Sequence, residues 1–294
     1  MSALWHGLVD PWGDAIMQRA LIEVVLLSVS GGALGCWIVL YEATYSAESL
    51  PHAMFPGLVA AALTGLPLVL GGAAGLLVAA LAVALAARLP GIGRDTGVAV
   101  VVTTLFGLGV LLALAPDSPP GVQTLLFGDI LAITGRDLAL AGGLALGVAA
   151  ALRMLHTRLL AAGFDRGSAR ALGAPPLLAD AALLSLLAVA VLVAVPALGN
   201  LLVVAVLIAP AAAARLRCRR MAPMMATATA LALLGGLAGL YTSYHLHTAA
   251  GASIAVSLIL GYLVVAAGAE RATRRAGGAR PVSLGADGGV DGGA

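Results

Sequence analysis

Apolar residues in this chain come in long blocks, not in the short alternating runs of a β-protein. A membrane span takes roughly 20 consecutive apolar residues. Blocks of about that length cover residues 21–41, 67–87, 97–115, 137–155, 222–244 and 252–269. A shorter block, 50–66, contains Pro51, His52 and Pro56. Residues 179–214 are almost wholly apolar, interrupted only from Pro196 to Asn200, with Pro210 further on. Two short helices joined by a tight turn fit that stretch better than one. The expectation is an all-α, polytopic membrane bundle of eight or nine transmembrane helices over residues 20–269. Residues 1–19 are mixed, carry Trp5 and Trp12, and are expected to lie at a membrane interface. Residues 156–178 form the longest polar break, and 270–294 read as a disordered tail, basic at first and then Gly-rich.

Composition strengthens this reading. Of the 294 residues, 61% are hydrophobic and 10% charged, with a mean hydropathy of +1.04. A soluble domain carries about 25% charge, so a soluble enzyme is excluded as the default. All 16 basic residues are Arg. Without Lys there is no Walker A phosphate loop and no Schiff-base chemistry. A net charge of +2 leaves no nucleic-acid footprint. Cys36 and Cys218 make neither a CxxC nor a zinc spacing and read as unpaired thiols. The arginines gather at 88 and 94, at 153–170, at 215–220 and at 271–280, whereas 116–136 and 245–251 hold only Arg136. That alternation follows the positive-inside rule and puts the C-terminus in the cytoplasm.

Ionisable groups within apolar surroundings are the candidates for chemistry, because each costs about 2.5–3.5 kcal/mol at the bilayer centre. Glu48 and His52 are four residues apart, hence on one face of a helix. Carboxylate plus imidazole suits a first-row transition metal. Two ligands make a poor site, and a symmetric homodimer would supply four. Pro51 and Pro56 lack an N–H, which frees the carbonyls of Ala47 and His52. Freed carbonyls in a membrane line cavities or ion paths; the alternative is a solvated Glu48 and an interfacial His52. In the polar segment, Asp165 can cap a short helix through Ala169, Arg170 and Leu172, with Gly173 at its C-terminal turn and Pro175 forbidding continuation. Such a helix is either a docking element or a structured loop. His245 and His247, flanked by Tyr241 and Tyr244, form a metal-entry rim or two ordinary loop histidines. The pairs Gly31/Gly35, Gly71/Gly75, Gly143/Gly147 and Gly235/Gly239 read as general helix packing. Intramembrane hydrolases are excluded: HExxH is absent, the Gly251-Ala-Ser253-Ile254 run lacks the second Gly of a serine site, and Leu126-Phe-Gly-Asp129 lacks the first Gly of an aspartyl site.

Together these segments resemble the permease subunits of the zinc/manganese/iron family of bacterial ABC importers, from about Ala20 to Ala269. Glu48-Ser-Leu-Pro-His-Ala-Met-Phe-Pro-Gly57 is similar to the family's Asp-Ala-x-Ser-His-Ala-x-x-Pro-Gly, with Glu48 at the Asp place and His52 at the His place. Leu126-Phe-Gly-Asp-Ile-Leu131 is similar to Leu-Phe-Gly-Ser-Ile-Leu, and Phe164-Asp165 with Ala169-Arg-Ala-Leu-Gly173 resembles the coupling segment. The runs 201–211 and 239–244 also fit. Glu for Asp, Pro51 for Ser, and Tyr41-Glu42-Ala43 in place of a basic pair are departures. The resemblance implies a two-fold homodimer in the bacterial cell membrane that passes divalent manganese, zinc or iron inward and holds no permanent cofactor. It implies separate ABC ATPase subunits and an extracytoplasmic solute-binding protein as partners. The rival expectations are an ABC permease for another cargo, such as a metal chelate or vitamin, and an ATP-independent secondary carrier. The latter class often carries inverted repeats, which this sequence does not display.

Overall fold

The structure is a computed structural model, and it describes residues 13–86, 94–116, 121–122, 124–171 and 175–277. Regular structure among these residues is helical throughout: α1 (Ala15–Leu40), α2 (Thr44–Thr64), α3 (Leu68–Ala86), α4 (Arg94–Ala113), α5 (Thr124–Phe127), α6 (Gly135–Phe164), α7 (Arg166–Ala171), α8 (Pro176–Leu198), α9 (Val203–Arg215), α10 (Met221–Leu246) and α11 (Ala250–Gly277). Seven of them, α1, α3, α4, α6, α8, α10 and α11, are long and apolar enough to cross a membrane. The expected eight or nine exceeds seven by one or two, and two proline-bearing helices account for the difference. α2 has the length, with 21 residues, but carries Glu48, His52 and two prolines. α9 is apolar but has 13 residues, about 20 Å at 1.5 Å per residue.

Three boundaries differ from the sequence expectation. The first helix of the 179–214 stretch is not short: α8 has 23 residues. Pro196 lies in its last turn, where losing one N–H interrupts little of the ladder. α6 continues to Phe164, 30 residues in all, through the polar residues Arg153, His156 and Arg158. α11 runs to Gly277, beyond the apolar block, through helix-favouring Glu270, Arg271 and Ala272. At the other end, Asp14 caps α1 by accepting a hydrogen bond from the Ile16 N–H, so residues 15–19 belong to the first helix. The Trp5 and Trp12 segment, and 278–294 of the tail, lie outside the described residues.

The bundle assembles around two centres. α1 packs on α6, α9 and α10, and α10 packs on α11; α2 lies against α3, α4 and α8. Small residues bring the axes together. A methyl added at Gly71 would collide with the Gly57 carbonyl, at Gly35 with the Leu207 carbonyl, and at Gly239 with the Ile254 backbone. Gly143 and Gly147 are different, since nothing lies within 4 Å of where a methyl would stand. Tyr41 Oη donates to the Leu159 carbonyl (2.8 Å), tying the end of α1 to the distal part of α6.

Two irregular segments meet inside the bundle. Residues 125–129 include the end of α5, and 196–201 join α8 to α9. The N–H groups of Asn200, Leu201 and Asp129 donate to the carbonyls of Leu125, Leu126 and Pro196, at 2.9, 3.2 and 3.1 Å. Each segment thereby satisfies the other's backbone. Gly128 (φ 73°) and Gly199 (φ 78°) sit at the crossing, and a methyl on either would strike the other's backbone.

Gly128→Ala or Gly199→Ala combines a left-handed backbone cost of about 1–2 kcal/mol with a backbone collision. Either change should lower the thermal unfolding midpoint of the purified protein in detergent by several degrees. Gly147→Ala, in open space within a helix, should leave it unchanged or raise it slightly.

Candidate ion site on helix α2

α2 places Glu48 and His52 one turn apart, and they differ in setting. Glu48 is exposed on the single chain, while His52 is half-buried and lies within electrostatic reach of the Glu48 carboxylate. The following turn is buried: Ala53, Met54, Phe55 and Pro56 pack toward α3 and α4. Gly109 of α4 is the reason α4 can approach, for a methyl there would meet the Phe55 ring and the Pro56 backbone. The site is thus built on a helix with two interior prolines and clamped on its apolar side.

The His52 ring is held from two directions. Phe106 of α4 lies against it, with ring centroids 4.6 Å apart and planes tilted by 44°. Phe106 in turn rests on Phe55 at 5.6 Å. On another side, Asn200 Nδ2 is 3.3 Å from His52 Nδ1. Asn200 is fully buried, and its Oδ1 has no hydrogen-bond partner. In the sequence, Asn200 reads only as part of a turn. The signal for more was an amide within an otherwise apolar run of some thirty residues, where an unsatisfied polar group costs about 1–3 kcal/mol.

Other ionisable groups are used locally. Near the junction of α5 and α8, a cavity of about 390 Å³ is lined by Asp129, Asp137, Leu125, Ile133 and Pro196. Both carboxylates there serve the backbone. Asp129 accepts from the N–H groups of Leu131 and Ala132, each at 3.2 Å. Asp137 closes a capping box with Thr134 at the start of α6. Glu23, on α1, is buried with its Oε2 unpartnered. Among the described residues no three His, Cys, Asp or Glu side chains converge as a metal cage. A single copy of the chain therefore offers an ion only part of a shell.

His245 and His247 are exposed at the end of α10. The His245 ring packs edge-on against Tyr241 and Tyr244, at 4.4 and 5.3 Å. His247 adopts a left-handed conformation (φ 52°) and terminates the helix. The structure gives this pair a local capping and stacking role and does not bring it to Glu48 and His52.

The polar segment forms the short helix α7. The Asp165 carboxylate accepts from the Gly167 N–H at 2.9 Å, capping the start as the sequence predicts. Ala169 is buried, while Phe164 and Arg170 project outward. Among the described residues, the helices that pack on α7 are its neighbours α6 and α8. Leu172 and Gly173 lie outside the described residues.

Comparison with known proteins places this geometry in a lineage. A model of the ABC 3 transport family matches residues 13–269. The manganese transport system membrane protein MntC of Halalkalibacterium halodurans is 30% identical over 240 residues, spanning 81% of this chain and 82% of that protein. The chelated iron transport system membrane protein YfeD of Yersinia pestis is 28% identical over 264 residues, 90% of this chain and 89% of that one. Among solved structures, PsaBC from Streptococcus pneumoniae in complex with Fab superposes with a TM-score of 0.82 at 26% identity, covering 89% of this chain and 95% of that chain. A putative metal-chelate type ABC transporter in an inward-facing conformation shares the fold alone, with a TM-score of 0.62 at 17% identity.

The cap on α7 can be tested by itself. Asp165→Ala removes a contact of about 1 kcal/mol. Amide hydrogen exchange should speed up at Gly167–Ala169, and exchange in the first half of α6 should not change.

Proposed function

The chain belongs to the ABC 3 transport family, and from that premise we propose that it is the membrane permease of an ATP-driven importer for a divalent transition-metal ion. It is a multi-pass membrane protein without catalytic chemistry of its own. The relatives are named for manganese and for iron, and these lead the candidates, with zinc as the competitor to test against them. The observation that carries the reading is the pairing of Glu48 with His52 on one face of α2, beside the buried Asn200.

The exposure of Glu48 on a single chain favours a homodimer. A carboxylate facing lipid at that depth is costly, and so is a two-ligand site. A second copy related by a two-fold axis covers the face and supplies a second Glu48 and His52. The carbonyls of Ala47 and His52, freed by Pro51 and Pro56, add oxygen ligands along the same face. The ion is held weakly, because conduction requires release as well as binding.

In this reading α2 and α9 cross the membrane with the other seven helices, which makes nine crossings. With the arginine-rich ends inside, the C-terminus is cytoplasmic and the start of α1 lies outside. ATP is hydrolysed by separate cytoplasmic ATPase subunits. α7 is the element that seats in a groove of the ATPase, with Phe164 and Arg170 outermost; Leu172 and Gly173 complete the segment by their sequence positions. ATPase closure then selects between two packings of the bundle, and the ion gate follows. An extracytoplasmic binding protein delivers the ion.

Glu48→Ala and His52→Ala should each reduce radiolabelled manganese or iron uptake at least tenfold in cells with normal membrane levels of the complex; uptake at the wild-type rate would remove that residue from the path. Competition by unlabelled manganese, iron and zinc ranks the cargo. Arg170→Glu should abolish ATPase stimulation by the loaded binding protein while leaving the bundle's unfolding midpoint unchanged.

A further inference from the structure

A neutral imidazole offers one N–H and one lone pair. At His52 the neighbour of Nδ1 is the side-chain amide of Asn200, 3.3 Å away. When the amide N–H donates to Nδ1, that lone pair is occupied and the ring proton sits on Nε2. Neither nitrogen can then bind an ion. A half-turn of the amide exchanges its oxygen and nitrogen within the same volume. The ring proton passes from Nε2 to water and water returns one to Nδ1, with no net change in charge; Oδ1 then accepts from Nδ1–H, and Nε2 presents a free lone pair.

The surroundings make this a two-position device. Asn200 is fully buried, and its backbone is pinned by the bond from its N–H to the Leu125 carbonyl. The ring is backed by Phe106, which lies against it on another side from the amide. Oδ1 has no partner where it stands. The amide therefore has no second hydrogen bond through its oxygen to oppose the half-turn. Histidines that bind metal almost always donate their other N–H to an oxygen, which fixes the tautomer.

We propose that Asn200 is the positioning residue of the ion path: its amide turns to accept the His52 Nδ1–H as the ion enters, and turns back to occupy Nδ1 as the ion leaves. This rests on His52 being an ion ligand, as read above. The assignment gives a role to the one amide in the apolar α8–α9 stretch, and it supplies the reversibility that a conducting site needs.

The test uses the complete transporter in proteoliposomes, with manganese uptake measured across a concentration series for the wild type, Asn200→Leu, Asn200→Asp and His52→Ala. Loss of the oxygen acceptor in Asn200→Leu should raise KM about 10–100-fold, with Vmax at saturation within about twofold. Asn200→Asp keeps an acceptor and should restore a KM near that of the wild type. In parallel, ¹⁵N-histidine spectra with cadmium, a diamagnetic probe, should show His52 with Nδ1 protonated and Nε2 metal-bound in the wild type and Asn200→Asp. That signature should be missing from Asn200→Leu at the same cadmium concentration. A wild-type KM in Asn200→Leu, or an equal KM defect in Asn200→Asp, overturns the proposal. If Asn200→Leu does not accumulate, the KM and spectrum of Asn200→Asp decide in the same sense. Normal uptake by His52→Ala removes the ligand reading itself, whereas its loss alongside an unaffected Asn200→Leu removes only the role of Asn200.

Discussion

Inside a bilayer a backbone amide has no water to bond with, and every departure from regular helix must find its partner within the protein. This chain departs from the rule in one central place. There the end of α5 with residues 128–129 and the last turn of α8 with residues 199–201 exchange three backbone hydrogen bonds. Gly128 and Gly199 make the approach possible, since the crossing has no room for a side chain on either. The position of Asn200 follows from that crossing, and through Asn200 the orientation of His52. The setting of His52, the candidate ligand, thus depends on a piece of backbone pairing that does not lie on α2.

Several ionisable side chains find their partners locally. Asp129 and Asp137 are spent on turns and caps, and His245 is stacked between tyrosines. On α2, Glu48 is exposed and His52 is half-buried with its Nδ1 against the Asn200 amide. Proline reinforces the difference. In a soluble helix two interior prolines would cost roughly 3 kcal/mol each; here α2 remains helical because α3, α4 and α8 hold it.

Much of this was legible in the chain before any coordinates. Block lengths set the spans, because hydrocarbon thickness is a fixed ruler. Asp165 and its helix were legible because capping is local. The Glu48–His52 pair was legible because four-residue spacing is a property of any helix. Less accessible was the length of α8, where the proline and the Gly-Asn turn read as an earlier break. Of the four glycine pairs, three bring helices into contact and Gly143/Gly147 does not. Spacing alone carries no record of which face meets a neighbour.

The sequence by itself determined the membrane class, the helical composition, the absence of an ATP-binding lysine and the helix face that carries the candidate ligands. Each of these follows from transfer energy or from the period of a helix, both local quantities. Tertiary structure alone decided that Asn200 reaches His52 across 148 positions of sequence, that Phe106 backs the ring, and that Glu48 is left uncovered by its own chain. Those outcomes depend on which backbones approach one another. In a bundle of nearly uniform apolarity, small residues and irregular segments choose that, and hydrophobic pattern does not.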